Sequence, residues 1–208
     1  MSTIVSLNNL KTIIVNSQKC QRNWDLSKNI IAEHIDIFKI AVTNCPSKQN
    51  RTFYKCIFVT NRDTIQKIHE SSDSFVWQYE PRQSITNSQT LANLLVVFVR
   101  DRDMSVTEPR TEKEYSQGLL HGKTTDDENK SVGIAAGSLN LTAHLLGYQT
   151  GFYNAQHNSK ILDEIFFSKV FCMLGIGFRD KTKDRKQHHL TDFVYPSFGK
   201  NIKIEELK

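Results

Sequence analysis

No stretch of the 208 residues comes near the roughly 18 consecutive apolar residues that a membrane-spanning helix needs, so no such span is expected. The four cysteines, Cys20, Cys45, Cys56 and Cys172, include no C-x-x-C pair. Neither a zinc site nor a redox dithiol is spelled out, and four reduced, mostly buried thiols are expected. The first residues mix Asn8, Asn9 and Lys11 with apolar positions and lack the unbroken core of a signal peptide, which predicts a cytoplasmic protein. There is no internal repeat. The glycine pair in Leu174-Gly-Ile-Gly-Phe178 has no third glycine and no helix after it, which argues against a dinucleotide phosphate loop.

What is present is an ordinary globular composition, 38% hydrophobic and 24% charged, in a chain long enough to bury a core without disulfides or metal. A single domain over residues 1–208 is expected, with a C-terminal arm from about residue 194. The net charge of +5 raises the question of a polyanion partner. The densest basic run, Arg179 to His189, alternates with Asp180 and Asp184 and has no aromatic residue to stack on bases. A compact anion such as one phosphate suits Arg185 and Lys186 better than nucleic acid. His188 and His189 are adjacent, a poor geometry for one metal, and read as exposed loop residues.

Helical spacing of Leu7, Leu10, Ile13 and Ile14, then of Ile31, His34, Ile35, Phe38 and Val42, predicts two opening helices. Pro46 ends the second. Strands are expected at 54–60 and 94–99, with a short helix over 63–70 capped by Asn61 between them. A further helix is expected at 112–120, then an extended piece at 149–153, a helix at 159–167 and a strand at 170–178. An acidic patch at Asp126, Asp127 and Glu128 opens the most distinctive segment, the small-residue helix of residues 131–147. There Gly133, Ala136, Gly137 and Asn140 form a face with little bulk, Ile134, Leu141, Leu145 and Leu146 are expected to supply the packing, and Gly147 suits a helix stop. Something flat, or another backbone, is expected to lie against the small face. Helices and strands are interspersed without strict βαβ alternation, so a mixed sheet with helices around it is expected.

Four segments, in order, resemble the FMN-dependent nitroreductase family. Gln18-Lys-Cys-Gln-Arg-Asn-Trp24 is similar to its early basic motif of two arginines, a serine, any residue, a basic residue and a nearby aromatic. Lys19 and Arg22 keep the basic character, while Gln18 and Cys20 stand where an arginine and a serine are usual. Cys45-Pro-Ser-Lys-Gln-Asn50 resembles the family's Pro-Ser-x-x-Asn turn, in which Pro46 fixes the bend and Ser47 and Asn50 offer polar groups to a flavin. Asn87 or Gln89, shortly before an apolar strand, occupies the place of a polar residue facing the flavin pyrimidine. The small-residue helix with its exit at Tyr153 and Asn154, and the basic pair Arg185 and Lys186 beyond it, complete the set; Gln187 replaces a common second arginine.

The resemblance spans residues 10–193 and implies an α+β fold: a mixed, mostly antiparallel sheet surrounded by helices, in a homodimer with FMN at the subunit interface. It implies a flavin-dependent oxidoreductase moving hydride from NADH or NADPH to a nitroaromatic, quinone or similar acceptor, with no membrane or nucleic-acid partner and no catalytic side chain of its own. Two other readings stand beside it: a flavin-binding protein without turnover, acting as sensor or store, and a small basic nucleic-acid-binding module.

Overall fold

The computed structural model describes residues 6–47, 50, 54–72, 74–77, 83–101, 125–154, 160–197, 199–200 and 202–206. The helix expected at 112–120 lies outside them. Two helices open the chain, α1 (Leu7–Ser17) and α2 (Ala32–Thr43), followed by β1 (Tyr54–Val59) and α3 (Arg62–Glu70). A hairpin not anticipated from the sequence, β2 (Phe75–Trp77) with β3 (Gln83–Ile85), leads to a 3-10 turn at Ser88–Leu91. Then come β4 (Leu94–Arg100), α4 (Thr125–Leu145), β5 (Gln149–Tyr153), α5 (Lys160–Phe166) and β6 (Val170–Gly177).

The main sheet has the order β1-β4-β6-β5, with every neighbouring pair antiparallel. One parallel bridge, Cys20 to Thr150, attaches the segment after α1 to the β5 edge and makes the whole mixed in sense. The arrangement is the α+β architecture expected. Strand β4 explains its own unbroken apolar run, because both its faces are covered. Leu94, Val96 and Phe98 pack with Phe38, Val42, Leu139 and Ala143 of α2 and α4 on one side. Leu95, Val97 and Val99 pack with Ile65 and Ile68 of α3 and Leu162 of α5 on the other. Asn61 caps α3 by accepting from the Thr64 amide, as its position before the apolar pattern implies. The acidic start of α4 is ordered: Glu128 is buried and pairs with Arg100 at 2.6 Å.

The packing face of α4 differs from the expected one. Val132, Ala135, Ala136, Leu139 and Ala143 are buried, whereas Ile134, Leu141 and Leu145 are exposed. At about 100° per residue, Gly133, Gly137, Leu141, Ile134 and Leu145 form one stripe, opposite the buried set. Added Cβ atoms at Gly133 and Gly137 would meet nothing within 4 Å. The two glycines therefore share a face with Ile134, Leu141 and Leu145 rather than opposing them, while Ala136 joins the buried set. Neighbouring helices leave apolar groups in water as well: Leu7, Ile14 and Val15 on α1, Ile37 and Ile40 on α2. Gly147 closes α4 at φ +86°, in the left-handed region that its sequence position called for.

The four thiols are free but only half-buried. The C-terminal arm also starts later than residue 194. Val194 bridges to Gln187 and Tyr195 is 4% exposed, so both belong to the body of the molecule. No helix among the described residues is long and apolar enough to cross a membrane.

Candidate functional site

The stretch from Cys20 to Asp25 is extended and threaded between two others. The Gln21 amide donates to the Thr150 carbonyl at 2.7 Å, the Asp180 amide to the Asn23 carbonyl at 3.0 Å, and the Asp25 amide to the Phe178 carbonyl at 2.8 Å. Extended backbone sends successive side chains to opposite sides. Lys19 and Gln21 line a cleft of about 490 Å³ together with Lys28, Arg179, Lys181 and Arg185. Cations from residue 19 and from residue 185 thus meet in one place. Among the described residues, Lys28 alone of these five cations is neutralised by an ion pair, with Asp25 at 2.9 Å.

Cys20 sits at the junction. Burial pushes its thiol up, while the guanidiniums of Arg22 and Arg185 act on it in the opposite direction. Arg185 donates to the Cys20 carbonyl at 3.3 Å. Arg22 lies with its guanidinium carbon 3.9 Å above the ring of Tyr195, and its Nε is buried with no hydrogen-bond acceptor.

Gln89 reaches the same edge of the sheet from the 3-10 turn. Its Nε2 donates to the Phe152 carbonyl at 3.1 Å and lies 3.4 Å from Asn87 Oδ1, while its Oε1 is buried without a donor. Of the two candidates before β4, Gln89 is thus the one packed against β5. The turn is held from below by Arg62, which donates to the carbonyls of Leu91 and Ala92, and by the Trp24 indole, which donates to the Ser88 carbonyl. Two glycines make room for it: a Cβ at Gly175 would strike the Gln89 carbonyl, and one at Gly151 would strike Gln89 and the Gln21 carbonyl.

Other candidates are dispersed. Gln18 is exposed at the C-cap of α1, its amide spent on the Asn16 carbonyl. Lys186 points toward the C-terminal segment, 3.4 Å from Ser197 Oγ. Tyr153 faces the second core cluster, so its ring is packing, and only its neighbour Asn154 is exposed at the exit. Ser47 and Asn50 line a different cavity of about 660 Å³ beside β1, with Cys45, Tyr54 and Cys56; Pro46 bends the chain into it. Strands β4 and β6 separate β1 from β5, so this cavity and the cationic cleft belong to opposite edges of the sheet.

His188 and His189 are not the exposed loop residues expected: the first is buried and the second half-buried. His188 is 3% exposed and hydrogen-bonded to Thr86 Oγ1 at 3.0 Å, and His69 is also buried, 2.8 Å from Thr90 Oγ1. His189 packs edge-on against both rings. Burial, then His188, His69 and Lys183, hold the His189 imidazole down at about 4. A histidine depressed in the folded state leaves the unfolded chain binding more protons between the two pKa values. Stability from this group is therefore complete above about pH 6.5, the ordinary histidine value, and is lost as pH falls toward 4. The urea midpoint should drop across that window, and His189→Asn should flatten the drop; equal pH profiles would refute it. Asp25, lowered to about 2 by Ser27 and Lys28, titrates below the window, whereas His69, His144 and His188, also pushed down by burial, contribute within it, so His189→Asn should remove only its own share of the drop.

Solved structures with this arrangement are consistent in kind. A nitroreductase-like protein from Streptococcus mutans superposes with TM-score 0.62 over 95% of this chain and 100% of its own, at 14% identity. The chain has the nitroreductase fold. Nitroreductase A from Vibrio parahaemolyticus gives TM-score 0.62 over 93% and 80% at 14% identity, and a nitroreductase family protein from Clostridium novyi NT gives 0.59 over 85% and 89% at 17%. No protein-family model and no curated protein matches the chain.

Three cleft residues, Lys28, Arg179 and Lys181, were not singled out from the sequence. Arg179 and Lys181 open the basic run, so their charge was visible, but not their direction.

Proposed function

We propose that this protein is a flavin-dependent oxidoreductase that binds FMN and takes hydride from NADH or NADPH for a nitroaromatic, quinone or similar small acceptor. The observation that carries this reading is the meeting of Lys19 and Arg185, from the two ends of the chain, in one cleft beside Cys20, on which Arg22 also acts from outside that cleft, with no carboxylate paired to these three among the described residues. Unneutralised charge in a partly buried place is costly, and a phosphate dianion offsets it. The polar atoms left without partners fit the rest of a flavin. Gln89 Oε1 is an acceptor for the pyrimidine N–H, and Arg22 Nε–H is a donor for an electronegative edge or phosphate oxygen. Similarity to solved nitroreductases adds the fold in which this chemistry is known.

When bound, FMN would supply the two-electron chemistry, accepting hydride and passing it to the acceptor. The chain's own part is to hold and tune it. Lys19 and Arg185 grip the phosphate, Gln89 sets the orientation of the ring, and the positive charge of Arg22 favours an electron-rich ring. No side chain is required as a general base.

Homodimerisation belongs to the same reading. The exposed stripe of Gly133, Gly137, Leu141, Ile134 and Leu145, flanked by apolar residues of α1 and α2, is a face for a second copy, whose backbone the glycines let approach. Two copies also account for Ser47 and Asn50 lying at the sheet edge remote from Arg185: the turn of one protomer would complete the site of its partner.

Purified protein should carry a flavin spectrum that bleaches on adding NADPH or NADH under argon and recovers when a nitroaromatic is added, and it should sediment as two chains. A yellow protein that does not bleach would favour the sensor or store. A colourless protein that binds oligonucleotides in a salt-sensitive way would overturn the flavin reading.

A further inference from the structure

Tyr195 lies beyond every segment that resembles a flavin motif, yet it closes the cationic junction. Its ring is buried, at 4% exposure, under the Arg22 guanidinium at 3.9 Å. Its hydroxyl donates to the Thr86 carbonyl, three residues before Gln89. The backbone fixes it as well: its amide donates to the Lys186 carbonyl at 2.9 Å, and the Gln187–Val194 bridge closes the loop that carries Arg185. His188 in that loop holds the same Thr86 through its hydroxyl at 3.0 Å. Thr86 is thus bound twice by the loop, through carbonyl and side chain. One residue ties together three parts of the site: the 20–25 strand, the loop of Arg185 and the approach to Gln89.

An arginine has a long side chain with much rotamer freedom to lose on being fixed. Arg22 has no carboxylate partner among the described residues to hold it, and its Nε–H has no acceptor. An aromatic face supplies orientation without neutralising the charge, whereas a carboxylate would cancel it.

We propose that Tyr195 is a positioning residue, a neutral platform that holds Arg22 with its full charge directed at bound flavin. This rests on the flavin reading above. It predicts that the ring acts through Arg22, while the hydroxyl, which donates to the Thr86 carbonyl and is in hydrogen-bond contact with Arg22, makes a smaller contribution that Tyr195→Phe reads separately.

The test is a double-mutant cycle on the full chain, read by FMN fluorescence quenching and by the midpoint potential of the bound flavin. Tyr195→Ala is expected to raise the FMN dissociation constant about tenfold, the size of a partly desolvated cation–π contact, and to lower the potential. Arg22→Gln should do at least as much. Adding Tyr195→Ala to Arg22→Gln should change either quantity further by no more than Tyr195→Phe does alone, that remainder being the hydroxyl's hold on Thr86. Tyr195→Phe, which keeps the ring, should stay within about threefold of wild type, and far-UV circular dichroism with a thermal melt identifies a variant that fails to fold. Tyr195→Leu, which fills the space without an aromatic face, then stands in for the alanine variant, with the same weakened binding and lowered potential expected.

Full additivity of the two substitutions would overturn the assignment, as would Tyr195→Ala with unchanged affinity and potential beside a weakened Arg22→Gln. Tighter binding in Tyr195→Ala would also overturn it, making the ring a plug. In each of these cases the flavin reading survives. Wild-type protein that takes up no FMN would overturn both together.

Discussion

Replacing Arg22 and Arg185 together by glutamine is expected to raise the FMN dissociation constant about a thousandfold and to yield colourless protein. Hydrogen bonds to a charged group contribute about 1.5–3 kcal/mol each, and every 1.4 kcal/mol is a factor of ten in affinity. The effect on the empty protein has the opposite sense. Both guanidiniums act on the Cys20 site, and no carboxylate among the described residues faces them. Removing two like charges there relieves repulsion, so the flavin-free variant should melt no lower than the flavin-free wild type. Binding lost together with melting temperature would indicate a structural role. Full flavin retention, measured by absorbance after gel filtration, would count directly against the proposed phosphate site.

Gly175→Ala is expected to damage the fold and the site at once. The new methyl group would fall on the Gln89 carbonyl and lie 2.9 Å from Ala92 Cβ, with neither neighbour at the end of a flexible side chain. The 3-10 turn is pinned by Arg62 and Trp24 and cannot yield without breaking those hydrogen bonds. Overpacking of this kind costs about 3 kcal/mol. For a chain of this size that lowers the melting temperature by roughly 6–12 °C. Because the turn carries Gln89, the surviving folded fraction should also bind FMN more weakly. A variant with wild-type melting and binding would show that the turn moves freely and that Gln89 is not held by its glycine seat.

The contrast between these two sites shows where sequence reasoning succeeds. Arg185 was legible because a phosphate needs cations and the basic run supplied them. The glycine seat was not. Leu174-Gly-Ile-Gly-Phe178 lacks the third glycine of a phosphate loop, and what Gly175 makes room for is the carbonyl of Gln89, 86 positions earlier in the chain, which no pattern around Gly175 encodes. Likewise His188 and His189 looked like exposed loop residues because their neighbours are charged. Their burial depends on His69, Thr86 and Thr90, which the chain brings to them from elsewhere.

By itself the sequence determined what is local: the two opening helices, the Asn61 cap, the doubly covered strand β4, the left-handed stop at Gly147 and the two clusters of cations. Hydrophobic period, capping chemistry and charge are properties of neighbours along the chain, and each was readable there. Tertiary structure alone decided which stripe of α4 is covered, that Lys19 and Arg185 share one cleft while Lys186 turns away, that Tyr153 faces the core, and that Tyr195 supports Arg22. Those outcomes depend on which surfaces meet, and a surface 100 residues distant leaves no periodic trace in the segment it covers.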